Sequence, residues 1–102
     1  MEEKELTIDK KEEGAKVTFA LTGRLNTNTA PELEAEVENL PADTESLIFD
    51  LENLEYLSSA GLRVLLFGKK TMGNKEMRIL NASDEVLEIF DVTGFTDILM
   101  VE

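Results

Sequence analysis

The sequence predicts an α/β fold: a mixed β-sheet that opens with an N-terminal hairpin and has helices packed against it. Three observations predict it. Alternating apolar residues mark two strands near the start, and helical and extended periodicities then alternate along the rest of the chain. The run Ser46-Leu47-Ile48-Phe49-Asp50-Leu51 alternates too little for a half-exposed strand and reads as a central strand covered on both faces. At 102 residues the chain suits one core, so residues 1–102 are expected to form one compact domain.

Leu6 and Ile8 alternate with polar neighbours, as do Val17, Phe19 and Leu21 after Glu12-Glu13-Gly14, and a hairpin is the economical interpretation. Gly23 to Asn28 is loop-like. Thr29, followed by Pro31 and Glu32, has the signature of a capping box with proline in the first turn. The first helix places Ala30, Leu33, Val37 and Leu40 on one stripe, and Pro41 stops it. After the central strand, a second helix is predicted from Ala60 to about Met72, with Lys69 and Lys70 near its negative end and Gly73 to close it. Leu62, Val64, Leu65, Leu66 and Phe67 cover much of its circumference, leaving Arg63 at the rim. Met77 to Leu80 is a short strand, Ser83 starts a third helix and Gly94 can end it. Ile98 to Val101 fits a final edge strand or a short helical tail.

Composition narrows the function. Ten basic against 22 acidic residues give a formal charge of −12, which opposes general attraction to nucleic acid or anionic lipid and suits a basic protein partner, or simply solubility. The absence of cysteine removes disulfides, thiolate catalysis and zinc-thiolate sites, and the absence of histidine excludes serine-histidine triads. No stretch is apolar enough to span a bilayer, and the acidic start, Met1 to Glu5, lacks the apolar core of a signal peptide, so a cytoplasmic location is expected.

The informative stretch runs from Glu55 to Leu66, where Ser58 and Ser59 stand between an extended apolar lead-in and a strongly apolar helix. Ser59 reads as the helix cap, its oxygen accepting first-turn amide protons. A phosphate on the same hydroxyl would meet the positive end of the helix, so capping and phosphorylation are compatible. Gly61 serves either close approach of another backbone or is a tolerated first-turn glycine. Gly61, Gly68 and Gly73 lack the lysine-serine ending of a Walker loop, and the acids between Asp43 and Glu55 lack calcium-loop spacing, so no cofactor or metal is expected. Tyr56 and the phenylalanines read mostly as core. The pattern of an acyl carrier protein fails here, since the chain has persuasive strands and Ser58-Ser59-Ala60 in place of an aspartate-serine-leucine signature.

The order of elements, together with Asp50-Leu51, Leu54, Tyr56-Leu57 and Ser58-Ser59-Ala60-Gly61-Leu62-Arg63, resembles a STAS domain, specifically a stand-alone bacterial anti-sigma factor antagonist. Gly23, Leu25, Thr29 and Ala30, and Val92-Thr93-Gly94-Phe95 near the end, support it. The resemblance implies a partner switch without catalytic machinery of its own. The unmodified chain would bind an anti-sigma factor of the histidine-kinase-like ATPase class, that partner would phosphorylate Ser59, and a serine phosphatase would reset it. Asn26, Thr27, Ser58, Ser59, Gly61 and Arg63 would form the partner-binding surface. Ser58 and Asn26 depart from the family pattern, which usually has aspartate at both places. The alternatives are a STAS-type interaction module without phosphoregulation, in another signalling or transport complex, and a small carboxylate-based enzyme or ligand-binding domain with a deep acidic pocket.

Overall fold

The computed structural model describes residues 5–94 and contains a four-stranded mixed sheet with three helices. Strand β1 (Leu6–Glu13) runs antiparallel to β2 (Lys16–Leu25), as the hairpin reading requires. Helix α1 (Ala30–Glu38) leads to β3 (Ser46–Leu57), and α2 (Ser59–Met72) leads to β4 (Glu76–Leu80); β2, β3 and β4 are mutually parallel. Helix α3 spans Asp84–Thr93.

The strand order is β1-β2-β3-β4, so both crossovers step the same way across the sheet. Right-handed crossovers in one direction place their helices on one face, and α1 packs against α2 there. The pleat sends Val17, Phe19 and Leu21, Leu47, Phe49 and Leu51, and Met77 and Ile79 to that face, where they join Leu33 and Val37 of α1, Leu62 and Leu65 of α2 and Phe90 of α3 in one core. Ile48 is also buried, at 6% exposure, but outside that core, between its register partners Thr18 and Arg78. Ser46 and Asp50, which flank Ile48 on that second face, are half-exposed, so among the described residues the cover expected on both faces of the central strand is only partial there, whereas the helices contribute their buried residues to the first face.

Strand β3 runs six residues beyond the Leu51 end read from sequence. Its pairing with β2 shifts register between Ala20 and Thr22 and again between Gly23 and Arg24. Each shift adds a residue on β3, so the buried positions after Leu51 fall at Leu54 and Leu57 with two exposed residues before each. A period of three hides a strand from any test for alternation. Opposite these shifts, Gly23 has φ of 105°, and a Cβ there would lie within 2.2 Å of the Glu5 carbonyl oxygen, so no side chain fits.

Helix α1 ends at Glu38, before the Leu40 read from sequence; α2 begins one residue earlier than predicted, and Gly73 and Gly94 close α2 and α3 as expected. Ser83 caps α3, its hydroxyl accepting from the Val86 amide at 3.2 Å. The segment Ile98 to Val101 lies outside the described residues.

Candidate functional site

The end of β3 and the loop after β2 meet because Leu25 and Leu57 are register partners and the Ser58 amide donates to the Leu25 carbonyl at 2.9 Å. This bond sets residues 26–29 beside the start of α2.

The loop is held by its own side chains. The Asn26 carbonyl oxygen Oδ1 accepts from the amides of Asn28 (2.9 Å) and Thr29 (3.1 Å), and its Nδ2 donates to Glu5 Oε2 at 2.7 Å. An aspartate at position 26 would set a second carboxylate against Glu5, whereas the amide supplies a donor. Thr29 is 4% exposed; its Oγ1 accepts from the Asn26 amide and donates to the Arg24 carbonyl, both at 2.8 Å. It makes no side-chain cap bond to α1, contrary to the capping-box reading, because its hydroxyl closes the loop instead. Thr27 is exposed beside it.

The serine pair is arranged differently from the sequence reading. Ser58, with extended φ and ψ of −96° and 174°, is the N-cap of α2, and its hydroxyl accepts from the Gly61 amide at 3.4 Å. Ser59 is the first helical residue and is exposed, and its hydroxyl makes no hydrogen bond among the described residues. The correction follows from geometry: a cap needs extended backbone so that its oxygen turns back over the first turn, and β3 persists as far as Leu57. The cap bond is long, so Ser58→Ala should lower stability by only about 0.5–1 kcal/mol, read as a shift of the urea midpoint. An unchanged midpoint would remove Ser58 as the cap.

Gly61 is buried, and a Cβ on it would approach Leu57 Cδ1 at 2.7 Å and Leu25 Cγ at 2.8 Å. The close approach is therefore to side chains of this same chain. Arg63 is exposed one turn beyond Ser59, at helical spacing that places both on one side of α2. A groove of about 330 Å³ between α1 and α2 joins Thr27, Pro31 and Glu34 to Ala60, Arg63 and Phe67. The structure thus brings Asn26, Thr27, Ser58, Ser59 and Arg63 to one end of the molecule, with Gly61 packed beneath them.

Two neighbours escaped the sequence reading. Tyr56 is 41% exposed, not core, and the Arg24 guanidinium lies 4.5 Å from its ring centroid. Their pairing follows from the shifted register of β2 and β3, which no local pattern encodes. Among the described residues no group of three or more acidic side chains is placed to hold a metal, and no helix is long and apolar enough to cross a membrane. Chemically, the site offers an unengaged hydroxyl on a fixed helical turn, next to an ordered polar loop and a shallow groove.

The STAS domain family model matches residues 7–102. An anti-sigma-B factor antagonist of Staphylococcus aureus is 34% identical over 82 residues, which cover 78% of this chain and 76% of that protein. The fold is shared with the anti-sigma factor antagonist SpoIIAA in its unphosphorylated form, with a TM-score of 0.83 at 18% identity over 94% of this chain and 88% of that one. The Bacillus cell fate determinant SpoIIAA in its phosphorylated form gives a TM-score of 0.75 at 17% identity, over 94% and 91% of the two chains.

Proposed function

The chain belongs to the STAS domain family, and from that premise we propose that it is a cytoplasmic anti-sigma factor antagonist whose binding is ended by phosphorylation of Ser59. The unmodified protein binds an anti-sigma factor of the histidine-kinase-like ATPase class, through the end of the molecule that carries Asn26, Thr27, Ser58, Ser59 and Arg63. The same partner supplies ATP and magnesium. The Ser59 oxygen attacks the γ-phosphorus, ADP leaves, and the hydroxyl proton passes to a base of the partner. A serine phosphatase returns the chain to its binding form.

The division of labour within the serine pair carries this reading: Ser58 is committed to the cap, while Ser59 is exposed with an unengaged hydroxyl. A phosphate on Ser59 has a charge of about −1.5 to −2 at neutral pH and sits at the positive end of α2, so the modified helix accommodates it. On the docked surface that charge must be desolvated or expelled, and release follows. Anti-sigma factor antagonist relatives, one of them solved in a phosphorylated form, support the reading.

The test is intact-mass measurement after incubation with an anti-sigma factor of the histidine-kinase-like ATPase class from the same organism, magnesium and ATP. The wild type and Ser58→Ala should each gain one phosphate. Ser59→Ala should gain none and should still bind the ATPase, since Ser58 keeps the cap. Phosphate on Ser59→Ala together with its loss from Ser58→Ala would reverse the assignment. Binding without any phosphate on the wild type would leave an interaction module that lacks phosphoregulation.

A further inference from the structure

We propose that the partner engages the outward face of α2 with an acidic segment centred on an apolar side chain, along a stripe from Ser59 through Arg63, Leu66 and Phe67 to Lys70. This rests on the proposed function and specifies the chemistry of the partner it requires.

Charge is distributed against the chain's average. The protein carries −12 overall, yet α2 contains Arg63, Lys69 and Lys70 and no acidic residue, whereas α1 contains four glutamates and no basic residue. The ion pairs among the described residues, Lys10 with Glu12 and Arg78 with Glu76, lie on strands, so the cations of α2 make none. Distant surface charges are screened beyond about 8 Å at physiological ionic strength, so a docking segment responds to α2, and to Glu34 across the groove from Arg63, more than to the chain's total.

Geometry assembles those cations around apolar surface. Positions 59, 63, 66, 67 and 70 recur at helical spacing on the side opposite the buried Gly61, Leu65, Gly68 and Met72. Leu66 and Phe67 are half-exposed, and with Arg63 and Lys70 they line a hollow of about 220 Å³. Arg63 and Phe67 also line the groove of about 330 Å³ against α1. The stripe therefore has an apolar centre flanked by two cations, complementary to an apolar side chain flanked by carboxylates. Its first position is the phosphoacceptor. Phosphate at Ser59 adds negative charge that faces the partner's carboxylates and draws Arg63, one turn away, into an internal pair, so one modification weakens the stripe twice.

The experiment compares affinity for the same ATPase among the wild type, Arg63→Glu, Lys70→Glu and Lys11→Glu. Each variant changes net charge equally, and Lys11 is an exposed residue of β1. Arg63→Glu and Lys70→Glu should each weaken binding at least tenfold at unchanged thermal midpoint, and Lys11→Glu less than twofold. Equal or tighter binding by the two α2 variants would overturn the proposal while leaving the proposed function intact. Failure of the wild type to bind would remove both. Sedimentation of the chain alone supplies the remaining arm: a wild-type dimer dissociated by either α2 substitution would make the acidic occupant a second copy, through the glutamates of α1, and would also overturn the proposal.

Discussion

Phe49→Ala should destabilise the protein by about 3–5 kcal/mol, lowering the thermal midpoint by about 15–25 °C. Phe49 is fully buried at the middle of β3, level with Phe19 on β2 and Ile79 on β4. Its ring lies 5.8 Å from that of Phe19, centroid to centroid, and is tilted 37° to it. From above it meets α2 at Gly68, where a Cβ would lie 3.4 Å from the ring. Truncation removes the contact between sheet and helix at the place where three strands converge, and residues held by hydrogen-bonded strands cannot collapse to fill the gap. Calorimetry or thermal unfolding followed by circular dichroism reads the effect. A fall of less than about 5 °C would mean that the core relaxes around the gap and that Phe49 is not central to it.

Gly61→Val should cost about 3 kcal/mol and, in addition, weaken partner binding more than tenfold. The added Cβ lies within 2.9 Å of Leu25 and Leu57 side-chain atoms, and Leu25 Cγ is not a flexible tip, so the start of α2 must lift from the sheet. That movement separates Ser58 and Ser59 from the loop at residues 26–29, which the bond from the Ser58 amide to the Leu25 carbonyl now holds beside them. Gly68→Ala is the control within the same helix. Its Cβ would meet Phe49 and Leu47 at 3.4–3.5 Å, and replacing a mid-helix glycine gains about 1 kcal/mol of propensity, so stability should hold or rise. Affinity for the ATPase and the urea midpoint together read the pair. If Gly61→Val binds as the wild type does, the packing beneath the serines does not position the docking surface.

The difference between these two glycines shows how far the sequence could be read. Both appear as glycines in an apolar helix; only the strands beneath them separate one that must stay bare from one that has room. The same holds at the serines. Either hydroxyl could cap a helix that starts near Ala60, and the choice of Ser58 follows from β3 continuing to Leu57, which depends on two register shifts against β2. Thr29 preceded a proline and a glutamate as a capping residue should, yet its hydroxyl was taken by Arg24 and Asn26 once the loop closed.

By itself the sequence determined the order and type of the described elements, the hairpin, the caps at Ser83, Gly73 and Gly94, the apolar face of each helix and the place of the serine pair at the start of α2. Those features are local: periodicity, turn chemistry and cap chemistry act over a few residues and leave their mark in the residues that need them. Only the tertiary structure decided which serine is free, that Gly61 turns inward, that Tyr56 pairs with Arg24 at the surface, and that a cationic helix face runs on from Ser59 in an acidic protein. Each of these depends on the register between strands distant in the chain or on which helix face remains uncovered, and non-local hydrogen bonds and packing fix both.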